Sequence, residues 1–215
     1  MNTLFPIFID LTGKTCTVIG GGTVALRKIR GLLDCQATVR VVSPASVSPI
    51  RDLHQAQQLT LHERAYQPAD LNGSFLVVAA TNDAAVNTQI YQECTALHIL
   101  CNVVDKPELC NFYYASVYTQ GDLKIAISTN GISPALARRI KAQLADLYPD
   151  EFTPYLKYLR GIREVVKMTI PEESQRKAIL EKIVSDPSLR TQCKDGQFCQ
   201  AIDTLDFFKE LEKWL

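Results

Sequence analysis

Three consecutive glycines open the segment whose residue types point most clearly to a ligand. Residues 20–25 (GGGTVA) fit the pattern G-x-G-x-x-A, a variant of the fingerprint that binds the pyrophosphate of a dinucleotide. In that pattern Gly20 permits a tight turn, and Gly22 lets the backbone approach a phosphate at the N-terminus of the next helix. A glycine triplet alone is a weak signal, so a glycine-rich turn without a ligand is the alternative.

The acidic residue that commonly holds the adenosine ribose, about 20 residues further on, is absent from this sequence. The second predicted strand ends instead at Ser43, Pro44 and Ala45, with no Asp or Glu beside them. Ser43 can donate a hydrogen bond to the ribose. No Arg follows immediately to bind a 2′-phosphate, which favours NAD over NADP without deciding between them.

Polar residues also follow the next strongly apolar run of the chain. Thr81 and Asn82 come directly after it, at the sheet edge that faces the cofactor in this kind of fold. We therefore expect them to contact the adenosine half of the dinucleotide. The alternative is that Thr81, Asn82 or Asp83 caps the following helix, and both roles are compatible.

Asp105 lies just beyond the end of the fifth predicted strand, where α/β sheets bind their substrates. An oxidation that removes a hydride also removes a proton, so a carboxylate at this position suits a general base. The local sequence is equally typical of a turn, because Asp105 precedes Lys106 and Pro107.

A second polar cluster joins a predicted strand to a helix that begins at Ser133 and Pro134. Its hydroxyl and amide side chains and the exposed N–H groups of the helix suit the binding of a carboxylate. Arg138 follows on that helix, and Arg27 and Lys28 lie on the first helix. Such charges usually form a solvated helix face, although an anionic substrate would employ some of them. The candidate substrate-binding residues are Ser128, Thr129, Asn130 and Arg138.

These residues need a framework that brings strand ends to one edge of a sheet. Apolar runs at 14–20, 38–43, 59–64, 74–80 and 99–104 predict strands, and residues 23–33 and 84–96 predict helices. This alternation is typical of a parallel sheet that is covered by helices on both faces. The fold class is therefore α/β, with a Rossmann-like parallel sheet.

The pattern changes after about residue 110. Residues 111–118 and 122–128 predict two strands of a hairpin, and residues 133–147 predict a helix. Charged, glycine-poor sequence follows Pro149, and it predicts helices at 152–167, 171–184 and 198–215. We expect a nucleotide-binding domain at 1–112, a small α+β domain at 113–149 and a helical domain at 150–215.

Composition excludes several classes of protein. The 215 residues hold 23 basic and 23 acidic side chains, and this zero net charge argues against nucleic-acid or membrane-surface binding. No apolar run reaches the roughly 18 residues that span a bilayer. Seven scattered cysteines predict reduced thiols in a cytoplasmic protein. The grouping of Cys94, His98 and Cys101 lacks a fourth ligand, so we expect buried cysteines and no metal site.

The motifs taken together resemble the precorrin-2 dehydrogenase/sirohydrochlorin ferrochelatase family of sirohaem biosynthesis. The resemblance is carried by residues 20–28 (GGGTVALRK), 80–83 (ATND), 101–105 (CNVVD) and 127–138 (ISTNGISPALAR), in that order. It covers residues 1–148 well and the remainder only in length and character. Asn130 departs from the pattern, because relatives often have a second glycine there.

The resemblance implies NAD-dependent oxidation of precorrin-2 to sirohydrochlorin in a homodimer, whose dimerisation domain falls at 113–149. In bifunctional members Fe²⁺, a substrate and not a bound cofactor, is then inserted. The resemblance assigns the catalytic aspartate to Asp105 and carboxylate binding to Ser128, Thr129 and the Arg138 helix. It assigns nucleotide contacts to Gly22, Thr23 and Val24 and to the segment of Ser43, Pro44 and Ala45.

Two other interpretations stay open from the sequence. One is a Rossmann oxidoreductase that acts on a different acidic metabolite. The other is a non-enzymatic module that senses NAD(H). Sensing modules usually keep the acidic residue after the second strand, which Ser43 replaces here, and they have no need of Asp105.

Overall fold

The computed structural model describes residues 4–193, which fall into two compact units. The first unit ends at Tyr114 and the second begins at Ala115. The helix predicted at residues 198–215 lies outside the described residues. The second unit contains both the segment predicted as a dimerisation domain and the start of the predicted helical domain, and their separation stays a prediction.

The first unit is built on a five-stranded parallel sheet with the strand order β3-β2-β1-β4-β5. Its register places Val18 of β1 beside Val41 of β2 and Val78 of β4. The predicted α/β class with a Rossmann-like sheet is confirmed. The strands are β1 (Thr15–Ile19), β2 (Thr38–Val42), β3 (Leu59–His62), β4 (Leu76–Ala79) and β5 (Leu100–Val103).

Three helices cover the sheet, namely α1 (Thr23–Asp34), α2 (Ser48–Gln55) and α3 (Ala84–Ala96). Alternate strand residues face opposite sides, so two separate cores form. Ile29 of α1 and Ile50 of α2 pack in one core, and Ile90 of α3 packs in the other. The helix α2 was not predicted, because it is only eight residues long and Ile50 is its one fully buried residue.

The chain that follows β5 folds back along that strand before it leaves the first unit. Asn111 accepts a hydrogen bond from the Cys101 N–H (2.7 Å) and donates one to the Ile99 carbonyl (3.2 Å). The prediction of a strand over 111–118 was wrong in its first half, because these contacts hold Asn111 against β5. The hairpin strand begins only at Ser116.

The second unit contains an antiparallel hairpin, β6 (Ser116–Gln120) and β7 (Leu123–Ile127), followed by helices. A separate core joins Tyr158, Ile162 and Val166 of α5 to Ile179 and Ile183 of α6. The small antiparallel sheet and the helical region of the predicted fold class are confirmed. The helices are α4 (Pro134–Leu147), α5 (Phe152–Thr169), α6 (Glu173–Ser185) and α7 (Pro187–Gln192), of which α7 was not predicted.

Within residues 4–193, no helix combines the length and the apolar character needed to cross a bilayer. Cys16, Cys94 and Cys101 are completely buried free thiols, as expected of small apolar residues inside strands and helices.

Candidate functional site

A cavity of about 680 Å³ lies at the carboxyl ends of β1, β2 and β4. The strand order changes direction between β1 and β4, and open α/β sheets bind ligands at such a point. The residues that line it are Ile19, Gly20, Gly21, Gly22, Val42, Ser43, Pro44, Ala45, Ser46, Val47, Ala65, Tyr66, Ala80, Thr81, Asn82, Asp83 and Val86. Seven of the nine predicted cofactor-binding residues are therefore brought together.

Gly20 and Gly21 are required by the packing of the turn itself. Gly20 has a φ of +125°, and a Cβ there would lie 2.3 Å from the Ala80 carbonyl oxygen. A Cβ on Gly21 would lie 2.2 Å from the Ala45 carbonyl oxygen. The turn after β1 thus packs directly against the segments that follow β2 and β4. The sequence pattern did not predict that Gly21 would be required for this packing.

Gly22 differs from its two neighbours, because a Cβ there would meet no atom within 4 Å. It is the N-cap of α1, no side chain caps this helix, and its first turn has no acidic residue. The N–H groups of the first turn, from Thr23 onward, therefore stay available to an anion. Thr23 and Val24 begin α1 beside the cavity but do not line it.

The segment after β2 supplies hydroxyl groups and no charge. The Ser43 hydroxyl donates its proton to the Ala45 carbonyl oxygen at 2.7 Å. The predicted donation from Ser43 to the ribose is therefore not supported, and only the oxygen of Ser43 remains, as an acceptor. Ser46, which was not predicted, also lines the cavity and is nine-tenths buried. Its hydroxyl has no hydrogen-bond partner among the described residues. Arg64, which follows β3, is paired with Asp70 at 2.6 Å.

The segment after β4 caps its own helix. The Asp83 carboxylate accepts hydrogen bonds from the N–H groups of Ala85 (2.8 Å) and Val86 (3.2 Å), so α3 is capped where α1 is not. Thr81 donates to the amide oxygen of the buried Asn87 at 2.8 Å. Both roles that the sequence allowed for this segment are compatible with the structure, since Thr81 and Asn82 also line the cavity.

Asp105 lies in the turn directly after β5 and is exposed. Its φ is +59°, a left-handed backbone conformation that costs free energy for residues other than glycine. The Cys110 thiol contacts the carbonyl oxygens of Val103 (3.3 Å) and Lys106 (3.2 Å), which bracket Asp105. These contacts hold the turn in place and leave the carboxylate in solvent.

The predicted substrate loop belongs to the second unit, where its hydroxyl oxygens accept hydrogen bonds from backbone N–H groups. Ser128 accepts from the N–H of Asn130, and Thr129 accepts from that of Ser133, each at 3.1 Å. The protons of both hydroxyls are therefore left to donate to a carboxylate. Asn130 has a φ of +55°, so it adopts the conformation that glycine would favour. Arg138 is exposed on α4.

Another open groove, of about 800 Å³, runs between α5 and α6. Its lining mixes basic residues such as Arg163 and Arg176 with acidic ones such as Glu173 and Glu181, and none of the predicted site residues is there. Within the described part of the chain, no three His, Cys, Asp or Glu side chains are grouped to hold a metal ion.

A parallel sheet of this strand order, with a glycine turn at the point where the order reverses, defines the Rossmann-like class of nucleotide-binding proteins. The chain matches two family models. One is described as "Putative NAD(P)-binding" and covers residues 7–116, and the other is described as "Sirohaem biosynthesis protein central" and covers residues 120–147.

Relatives agree with both matches. The siroheme synthase of Pseudomonas fluorescens (strain SBW25) is 37% identical over 182 residues, which are 85% of this chain and 39% of the relative. That of Thioalkalivibrio sulfidiphilus (strain HL-EbGR7) is 36% identical over 183 residues, which are 85% and 37%. The chain therefore spans about two fifths of the length of these relatives.

A solved structure, "SirC, precorrin-2 dehydrogenase", superposes with a TM-score of 0.76 at 29% identity. The match covers 98% of this chain and 100% of that one. The chain belongs to the precorrin-2 dehydrogenase/siroheme synthase family, as the motifs of its sequence predicted.

Proposed function

We propose that this protein oxidises precorrin-2 to sirohydrochlorin with NAD⁺ as the hydride acceptor. The observation that carries the proposal is the position of two groups on one sheet. An uncapped helix N-terminus follows β1, and an exposed carboxylate, that of Asp105, follows β5. Family membership supplies the substrate, since the matched structure is named a precorrin-2 dehydrogenase.

The cavity fits a dinucleotide in chemical terms. Gly22 leaves open space at the N-terminus of α1, whose backbone N–H groups would bind the pyrophosphate. Bound NAD⁺ supplies an acceptor for the hydride. The segment after β2 carries no cation and Arg64 is held by Asp70, so nothing there favours the 2′-phosphate of NADP. We therefore assign NAD⁺ as the preferred cofactor.

Asp105 serves as the general base in this proposal. Loss of two hydrogens from precorrin-2 gives one hydride and one proton, and the Asp105 carboxylate accepts the proton. Its exposed side chain leaves it accessible to a substrate. The hydroxyls of Ser128 and Thr129, the Asn130 amide and Arg138 would donate to substrate carboxylates.

Two further roles belong to the same proposal. The relatives are named siroheme synthases, and making sirohaem requires Fe²⁺ to replace two pyrrole protons of sirohydrochlorin. We include this insertion as a second activity with Fe²⁺ as substrate. A homodimer is supported by exposed apolar side chains on the hairpin, on α4 and on the loop between them, namely Val117, Ile132, Leu136 and Leu147. Sedimentation analysis of the purified chain tests that assembly.

The deciding experiment is an anaerobic assay with precorrin-2 and NAD⁺ that follows NADH and sirohydrochlorin by absorbance. We expect turnover with NAD⁺ to exceed that with NADP⁺. Asp105→Asn should lower kcat by about 100- to 10,000-fold, the usual contribution of a positioned base, with NAD⁺ affinity unchanged. Fe²⁺ added to the same reaction should convert the product to sirohaem.

Glu108→Gln is the matched control, because Glu108 is an exposed acid three residues along the same loop. It should retain the kcat of the unmodified protein. Full activity in Asp105→Asn would remove the proposed base. Tight NAD⁺ binding without oxidation of precorrin-2 would instead favour an oxidoreductase for another acidic metabolite or a nucleotide-sensing module.

A further inference from the structure

Lys28 lies in the second turn of α1, where it would ordinarily extend into solvent as Arg27 does. Instead it is half-buried, and its Nζ lies 3.5 Å from the centroid of the Tyr114 ring. An ammonium over an aromatic face is attracted to the electron-rich ring, so this contact restrains a long side chain. Tyr114 in turn packs against Phe112, with the ring centroids 5.4 Å apart.

Few negative charges lie near Lys28 to offset the positive charge of its ammonium. Burial lowers the pKa of its ammonium to about 8, and the charge of Arg27 acts in the same direction. Asp105 and Cys110 oppose this shift, which shows that Lys28 lies within electrostatic range of the turn that carries Asp105. Tyr114 is exposed as a whole, but desolvation of its hydroxyl raises the pKa of that group, so the ring stays neutral.

No carboxylate of the described residues forms an ion pair with Lys28. A cation that is withdrawn from water without an ion-pair partner is unfavourable, and an aromatic face offsets only part of that cost. The Lys28 ammonium has three N–H groups that can donate hydrogen bonds to a ligand. A half-buried cation of this kind, within range of an exposed carboxylate, suits a ligand that brings its own negative charge.

We propose that Lys28 is a substrate-binding residue that pairs with a carboxylate of the acidic substrate beside Asp105, and that Tyr114 is the positioning residue that holds it there. The inference rests on the proposed function, because it takes the substrate to be a polycarboxylate. It adds Lys28 to Asp105 as a second residue of the first unit that would contact the substrate.

The first test compares three variants in the anaerobic assay. Lys28→Met keeps the apolar stem and removes the charge, so KM for precorrin-2 should rise about 10- to 100-fold, as expected for a lost charge-assisted contact. The KM for NAD⁺ and the thermal unfolding midpoint should stay unchanged. Lys28→Arg should restore most of the affinity, and Arg27→Met is the control for loss of one charge from the same helix.

Tyr114 provides an independent pair of variants. Tyr114→Phe preserves the aromatic face, so it should raise KM for precorrin-2 much less than Tyr114→Leu does. Tyr114→Leu removes the aromatic face and keeps an apolar side chain, so KM for precorrin-2 should rise by several-fold while kcat falls less. Sirohydrochlorin binding, followed by a titration of its absorbance, should change in the same order across all five variants.

The pH dependence gives a readout that a purely structural role would not change. Lys28 loses its charge as pH rises through about 8, so kcat/KM for precorrin-2 should fall above that pH. The charged and titratable groups around it are Arg27, Asp105, Cys110 and Tyr114. In Lys28→Arg the alkaline fall should move to higher pH, since a guanidinium stays protonated.

The outcomes separate this inference from the proposed function. If the unmodified protein oxidises precorrin-2 while Lys28→Met matches Arg27→Met in KM and pH profile, the assignment of Lys28 is wrong and the function stands. If Lys28→Met lowers only the unfolding midpoint, Lys28 is structural and the assignment is again wrong. If the unmodified protein neither binds sirohydrochlorin nor oxidises precorrin-2, both proposals fail.

Discussion

The helices α1 and α4 differ in how the N–H groups of their first turns are hydrogen-bonded. At α1 the N-cap is Gly22, and no side chain accepts from the first turn. At α4 the N-cap is Ser133, whose hydroxyl accepts from the Leu136 N–H at 3.2 Å. The first N–H groups of α1 have no side-chain acceptor, whereas α4 satisfies one of its own through Ser133.

Under the proposed function, this difference separates two ways of binding an anion. At α1 the donors are backbone groups, so the site depends on the shape of the glycine turn and not on any side chain. At the loop before α4 the donors are the hydroxyl protons of Ser128 and Thr129, because their oxygens already accept N–H groups. We therefore expect the first region to be sensitive to an added Cβ and the second to a removed hydroxyl.

The largest expected effect is from Gly20→Ala. The added Cβ would meet the Ala80 carbonyl oxygen at 2.3 Å, in a backbone conformation that alanine rarely adopts. Strain and overpacking together should lower the free energy of unfolding by about 4 kcal/mol. Urea denaturation measures this loss, with Gly22→Ala as the matched control. Equal midpoints in the two variants would contradict the packing described for the turn.

Gly22→Ala, unlike Gly20→Ala, should weaken NAD⁺ binding without lowering stability. A Cβ there meets no protein atom within 4 Å, so stability should change by less than about 0.5 kcal/mol. The same methyl group would occupy space at the N-terminus of α1, and NAD⁺ affinity should fall about tenfold. Calorimetric titration with NAD⁺ checks the expectation. Unchanged affinity would place the pyrophosphate elsewhere in the cavity.

The sheet and the glycine turn could be predicted because their signals are local. Apolar runs bounded by glycine and polar residues marked every strand of the first unit, and the G-x-G-x-x-A spacing placed Gly20 and Gly22. The requirement for glycine at position 21 is a different matter. It arises from the Ala45 carbonyl, 24 residues away in the chain, and only the folded structure brings the two together.

The features that could not be predicted from the sequence also depend on contacts between residues far apart in the chain. Ser46 is exceptional only because folding buries its hydroxyl without a partner among the described residues. Lys28 and Arg27 are adjacent cations in sequence, and only the folded structure distinguishes them, by the burial of Lys28 and its contact with the Tyr114 ring. Residues 111–114 were predicted as strand because their composition suits one, whereas the Asn111 amide holds the start of this segment against β5 by accepting from the Cys101 N–H and donating to the Ile99 carbonyl.

The smallest expected effect tests the second region. Ser128→Ala removes a hydroxyl whose oxygen accepts the Asn130 N–H at 3.1 Å and whose proton is available to a substrate carboxylate. One exposed hydrogen bond contributes little, so KM for precorrin-2 should rise only about threefold, with kcat and NAD⁺ affinity unchanged. Thr119→Ala is the control. It removes an exposed hydroxyl near the end of β6, far along the hairpin from the loop that contains Ser128. Steady-state kinetics with precorrin-2 as the varied substrate resolves a change of this size. An equal rise in both variants would mean that the loop does not bind the substrate, and the contrast between the two helix N-termini would then concern folding alone.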